Sequence, residues 1–219
     1  IPFAGMDVGG FGGDCDELLM MDWIKLSFLI PFLRNHSGLN TRRQEPFAYP
    51  ERTMKVIRRY IRLRYKLLPH LYQLFIQQEH SGDPILRPVL YHFPEDGTEK
   101  LDDQFMIGSE ILQAPFVEDG ATRKVRLPGS APWYCAQSGN WIEPDEYDAT
   151  RSIDGTPLFV RAGSIIPMQA GTPTTTSVDL RKVHFHLFFP PDWSGETVEK
   201  YQADDGISFN YQNGERSTI

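Results

Sequence analysis

The run ELLMMDWIKLSFLI (17–30) is apolar on nearly every side of a helix, so any fold this chain adopts must cover that helix from several directions. Its neighbours indicate how. The segment IPFAGMDV (1–8) reads as a strand ending at a cluster of glycines, and PFLRNH (31–36) reads as a second short strand running into a loop. Asp14, with Glu17 following, has the form of a capping box at the helix start. Strand, loop, helix and strand in that order make the repeating unit of a parallel sheet or a barrel. The sequence opens on Ile1, inside what reads as a buried strand, so it is expected to be a piece of a longer polypeptide. A helix apolar on all faces needs more cover than two or three strands supply, so residues 1–50 are expected to be completed by further protein.

The glycine cluster GMDVGGFGGD (5–14) does not fit a phosphate. A dinucleotide fingerprint on Gly10 and Gly12 would need a third glycine where Cys15 stands, and a P-loop needs a lysine, the first of which is Lys25. Asp7, Asp14, Asp16 and Glu17 surround the glycines and would repel phosphate. The glycines are better used to turn the backbone sharply at a strand end. A ligand beside Asp7 should be neutral and rich in hydroxyls, or cationic.

A net charge of −7 over 219 residues argues against a general nucleic-acid role, and 40% hydrophobic residues suffice for a sizeable core. No apolar run reaches the roughly 18 residues of a membrane span. With Cys15 and Cys135 as its two cysteines, the sequence encodes no disulfide framework and no cysteine-based zinc site, leaving one conceivable bridge. The sequence leaves cellular location open; the lack of a disulfide pattern favours the cytoplasm.

Residues 51–80 carry the strongest helical periodicity. Met54, Ile57, Ile61, Tyr65 and Leu68 form one stripe, and Lys55, Arg58, Arg59, Arg62 and Lys66 form another that reads as a solvated face at this net charge. Pro69 should kink the helix or start a second one, and Gly82 should end it. After residue 84 the pattern changes to short strand-like runs: ILRPVLYHF, QFMIGSEILQAPFV, TRKVRLP, PLFVRAGSIIPMQ, KVHFHLFF and GISFNYQNGE. Turn clusters such as PEDG, PGSAP and QSGN separate them, and AGTPTTTS (170–177) reads as a linker. The fold expected is therefore α/β followed by all-β, with antiparallel sandwiches. Residues 1–104 are too few for a closed eight-stranded barrel, which takes roughly 200 or more.

The ordered set GMDVGGF, ELLMMDW, PFLRNHSG, RRQEPF, RYKLLPHLYQLF, ILRPVLYHFP, DDQFMIGSEIL and YQADDGISFNY resembles glycoside hydrolase family 31 over nearly the whole chain. That resemblance implies a (β/α)8 barrel followed by β-sandwich domains. The chain would supply the C-terminal barrel segment (1–104, incomplete), a proximal sandwich (105–172) and the start of a distal one (173–219). The implied activity is that of a retaining, exo-acting α-glucosidase on terminal α-linked glucose, needing no metal or organic cofactor. An Asp nucleophile and an Asp acid/base would lie upstream, so this chain carries no catalytic residue and alone is inactive. Its implied partners are the α-glucoside and the N-terminal remainder of the same enzyme, not nucleic acid or membrane; oligomeric state is left open.

The resemblance carries over to particular positions. Asp7 matches the Asp of the Gly-x-Asp motif and would accept from sugar hydroxyls or hold a neighbouring site residue. Phe11 matches the motif's aromatic, an apolar wall of the pocket. His36 matches the His of Arg-Asn-His, whose ring can bond a sugar hydroxyl, and Arg34 would orient His36 or a carboxylate. Trp133 and Trp141 read as core or inter-domain packing ahead of sugar platforms. The sequence departs from the family at Asp22-Trp23, where Arg-Trp is usual, and at Ser27, where Gly is usual. Alternative readings are an α-xylosidase, transglucosidase or α-glucan lyase on the same scaffold, a non-catalytic carbohydrate-binding fragment, or a purely structural β-sandwich.

Overall fold

The computed structural model describes residues 3–94, 97–171, 174–175 and 178–219. Ile1 and Pro2 of the first expected strand, Glu95 and Asp96 of the PEDG turn, and residues 172, 173, 176 and 177 of the expected linker lie outside the described residues.

Strands β1 (Gly5–Asp7) and β2 (Phe32–Arg34) pair in parallel, joined through helix α1 (Glu17–Ser27). Only glycine fits at position 5, because a Cβ there would come within 2.1 Å of the Phe32 carbonyl oxygen. The helix is capped two residues later than the capping box implies. Asp16 is the N-cap, accepting from the Leu19 amide at 2.8 Å, while Asp14 accepts from the Arg42 amide at 2.8 Å. Asp14 is drawn away by that long-range partner, so the adjacent Asp16 takes the cap.

Helix α1 buries Met20, Met21 and Ile24, and the turn after it buries Phe28 and Leu29. They pack against Val56, Ile57 and Tyr60 of α2 (Glu51–Lys66), with the Phe28 and Tyr60 rings edge-on at 5.0 Å. The helix is covered on most sides, as expected, and open on one flank, where Leu18 is 65% and Leu19 45% exposed. They line a groove of about 1240 Å3 between α1 and the segments around Phe116–Ala121 and Thr150–Ile153. The stripe on α2 is corrected, since Tyr60 is buried and Ile61 is 37% exposed. Contact with α1 selects the face that carries Thr53, Val56, Ile57 and Tyr60. Lys55, Arg58, Arg59, Arg62 and Lys66 are exposed, as expected of a solvated face. Leu67 separates α2 from α3 (Leu68–Ser81), Pro69 sits in the first turn of α3, and Gly82 closes it at φ 78°.

The second half is built of antiparallel pairs. Strands β3 (Leu86–Pro88), β4 (Phe105–Ile107), β5 (Ile111–Gln113), β10 (Leu158–Arg161), β7 (Trp133–Cys135) and β8 (Trp141–Ile142) form a six-stranded sheet in that spatial order. The sheet thus begins at Leu86, within the stretch that the sequence groups with the barrel. A ribbon of β6 (Thr122–Arg126) and β9 (Glu146–Thr150) brings Val125 and Ala149 into one core with Met106, Leu112, Trp133 and Phe159. Trp133 is fully buried and donates to the Pro128 carbonyl at 3.0 Å, so it packs a core and offers no sugar platform. Strands β11 (Ser164–Met168) and β12 (His184–Phe188) pair, as do β13 (Gln202–Ala203) and β14 (Ser217–Thr218). The run GISFNYQNGE is not a strand. Asp205 accepts from the amides of Ile207 and Ser208, turning the chain into a 3-10 helix at Asn210–Asn213. Cys15 and Cys135 are both free and buried.

The halves share a core in which Ile111, Val160 and Ile166 meet the helices. Polar ties reinforce it. Gln113, fully buried, donates to the Lys25 and Leu26 carbonyls at 2.7 and 3.1 Å, supplying partners that the end of α1 lacks. Asp22, at the unusual Asp-Trp pair, bridges Lys25 and Arg151, each at 2.6 Å, and so joins α1 to β9's following loop. Ser27 is buried and donates to the Trp23 carbonyl at 2.7 Å.

Candidate functional site

Asp7 ends β1 and Arg34 ends β2, and the parallel register sets them directly opposite one another. Arg34 Nε donates to Asp7 Oδ1 at 2.5 Å, so of the two roles open to Arg34 it takes the carboxylate. Beyond the strand ends the chain continues to Phe11 on one side and His36 on the other. Their rings lie 5.5 Å apart, tilted by 39°. Phe11 is 56% exposed and His36 is exposed, so neither is spent on packing a core. Asp7, Phe11, Arg34 and His36 therefore gather at the carboxyl end of two parallel strands, where open and closed α/β sheets place their ligands.

The glycines make that convergence geometrically available. Gly9 and Gly10 have φ of 92° and 85°, and Gly10 donates to the Asp7 carbonyl at 2.9 Å to close the turn. Gly9 is also crowded: a Cβ would lie 2.7 Å from Gln44 Oε1 and 2.8 Å from Met20 Cε. The Phe11 carbonyl accepts from the Gly38 amide at 2.6 Å, tying the glycine loop to the segment after His36. Beneath it, Tyr49 donates to the Cys15 carbonyl at 3.0 Å, and burial pushes up both the Tyr49 phenol and the Cys15 thiol, keeping them neutral.

Sequence reasoning gave Gln44 no role. It is buried and donates to the Gly9 and Gly10 carbonyls at 3.4 and 3.1 Å, while its own carbonyl accepts from Asn35 Nδ2 at 2.6 Å. One glutamine in a proline-flanked loop carries no local signal of such a position. No group of three or more His, Cys, Asp or Glu among the described residues could hold a metal ion. No helix among them is long and apolar enough to cross a membrane.

Comparison with known proteins bears on the same residues. The model of the glycosyl hydrolases family 31 TIM-barrel domain matches residues 1–74, and that of the family's C-terminal domain matches residues 82–166. Alpha-glucosidase 2 of Bacillus thermoamyloliquefaciens is 33% identical over 98% of this chain and 27% of its own length. A GH31 dextranase of Flavobacterium johnsoniae, complexed with glucose, superposes with a TM-score of 0.87 at 30% identity, over 100% of this chain and 28% of the dextranase. The GH31 α-xylosidase of Xanthomonas citri gives 0.82 at 26% identity, over 97% of this chain and 24% of the xylosidase. The chain thus spans about a quarter of the length of the proteins it resembles. Matched by the family's models through its strand–helix–strand unit and its six-stranded sheet alike, the chain belongs to glycosyl hydrolase family 31.

Proposed function

We propose that this chain is a portion, from the C-terminal part, of a retaining, exo-acting α-glucosidase, and that Asp7, Phe11, Arg34 and His36 hold the terminal glucose unit. The observation that carries the proposal is the convergence of these four side chains at the carboxyl ends of β1 and β2. In this reading the segment through α3 finishes the barrel, and the chain from β3 onward contributes β-sandwich layers. The remainder of the barrel packs into the groove beside Leu18 and Leu19, covering the flank of α1 that this chain leaves open. The nucleophile and the acid/base come from that remainder.

The chemistry follows from the groups. A carboxylate pinned through one oxygen by Arg34 presents its other oxygen in a fixed direction, which favours a sugar hydroxyl held in one orientation. Phe11 supplies an apolar wall for the C–H face of the ring. His36, exposed at the mouth, can bond a hydroxyl whose hydrogen bond tightens as the ring distorts toward the transition state. The α-xylosidase likeness favours no second substrate, because these four residues contact the ring generally; the choice between glucose and xylose would fall to the missing barrel loops.

In the complete enzyme His36→Ala should lower kcat/KM by about 10–100-fold while leaving the unfolding midpoint nearly unchanged. The exposed position of His36 motivates the second half of that expectation. An unchanged kcat/KM, or a loss that only tracks unfolding, would remove His36 from the site.

A further inference from the structure

We infer that Gln44 is a positioning residue: it sets the Phe11–His36 pair from beneath, through hydrogen bonds that reach both loops. The inference rests on the site reading above and adds to it the device that holds the site's shape. Its side-chain amide donates to the Gly9 and Gly10 carbonyls, the two peptides whose left-handed turn aims the chain at Phe11. Its backbone carbonyl accepts from Asn35 Nδ2, and Asn35 immediately precedes His36. One residue therefore grips the approach to each ring, and the Phe11–His36 contact at 5.5 Å is the consequence. A backbone tie, Gly38 amide to Phe11 carbonyl at 2.6 Å, completes the clasp on the far side.

The environment makes the donor role specific. Gln44 is 4% exposed, so its amide cannot be replaced by solvent without opening the loop. Its Oε1 is buried with no hydrogen-bond partner among the described residues. Burying an unpartnered acceptor is unfavourable, and an apolar side chain of the same length would avoid it. The amide's contribution therefore lies with its donors, directed at the glycine carbonyls. The amide packs closely on the glycine turn, since a Cβ at Gly9 would lie 2.7 Å from the same Oε1.

The test is a double-mutant cycle in the complete enzyme with an aryl α-glucoside as substrate. Gln44→Met keeps the volume and removes the donors. It should lower kcat/KM about tenfold beyond what any fall in unfolding midpoint explains, because small displacements of positioning groups are costly in rate. In the background Phe11→Ala/His36→Ala, Gln44→Met should cost almost nothing more, since the groups it positions are gone. Asn35→Ala, at an exposed residue and so tolerated by the fold, should show the same coupling with a smaller loss. Should Gln44→Met fail to fold, Gln44→Leu, which also lacks the donors, takes its place in the cycle. If Phe11→Ala and His36→Ala lower kcat/KM but Gln44→Met is silent, or its loss simply adds to theirs, the positioning inference is overturned and the site reading stands. If Phe11→Ala and His36→Ala are themselves silent, the site reading falls and takes the inference with it.

Discussion

The 219-residue chain, purified free of any other polypeptide, is expected to give no measurable turnover of an aryl α-glucoside. A retaining glycosidase needs two carboxyl groups about 5–5.5 Å apart, one to attack the anomeric carbon and one to protonate the leaving oxygen. The acids around the candidate site are committed elsewhere. Asp7 is paired with Arg34, Asp14 accepts from the Arg42 amide, and Asp16 caps α1. Asp7 gives one oxygen to the Arg34 guanidinium and Asp16 gives one to the Leu19 amide, so each carboxylate is already held in a structural contact. Loss of both reacting groups removes on the order of a millionfold in rate, which takes turnover below detection. The measurement is release of the aryl group by the chain alone, beside the complete enzyme at equal concentration. Turnover by the chain alone would show that two of its own carboxyls do the chemistry, and would overturn the assignment of Asp7 to binding.

What was legible in the sequence had local or periodic signals. The β1–α1–β2 unit shows itself because an apolar helix between two short apolar runs has few other uses, and the glycines at 9 and 10 mark a turn that needs positive φ. The four candidate site residues come from the family resemblance, not from their spacing; the structure brings them together because each lies within a few positions of an end of the parallel strand pair. Long-range partners had no such trace. Nothing near Asp14 in the chain says that the Arg42 amide will claim it and leave the cap to Asp16. Nothing near Gln44 says that it reaches back to Gly9 and Gly10. Strands β7 and β8, only Trp133–Cys135 and Trp141–Ile142, hid beside the turn cluster QSGN because runs so short hold no alternation to read. The buried face of α2 shifted from Ile61 to Tyr60 because helical periodicity gives the width of an apolar stripe, while the packing partner selects its centre.

Arg64 belongs to the same class of long-range residues, and its replacement should be among the most damaging in the chain. It sits on α2 next to the solvated basic stripe, yet it points inward. Its Nη1 donates to the carbonyls of Phe28 and Ile30 at 2.8 and 2.6 Å, and its Nη2 to that of Pro31 at 2.8 Å. These oxygens follow the last turn of α1, where helix geometry leaves carbonyls without intrahelical partners. Burial pushes the Arg64 pKa below the ordinary arginine value, and no carboxylate is needed because the planar fork spreads its charge over three carbonyl oxygens. Arg64→Met would strand those three oxygens, each costing about 1–3 kcal/mol, so a total loss of roughly 3–9 kcal/mol of stability is expected. Arg64→Lys keeps the charge but concentrates its donors at one point, so it should recover only part of the loss. The damage should reach the site as well, because Pro31 immediately precedes β2, whose far end carries Arg34 toward Asp7. Unfolding midpoints of the complete enzyme and of both variants, with kcat/KM for each, test this. The expected order is Arg64 above Lys above Met in both quantities. A Met variant as stable as the parent would mean that solvent or a neighbouring group serves the three carbonyls, and would overturn the role given to Arg64.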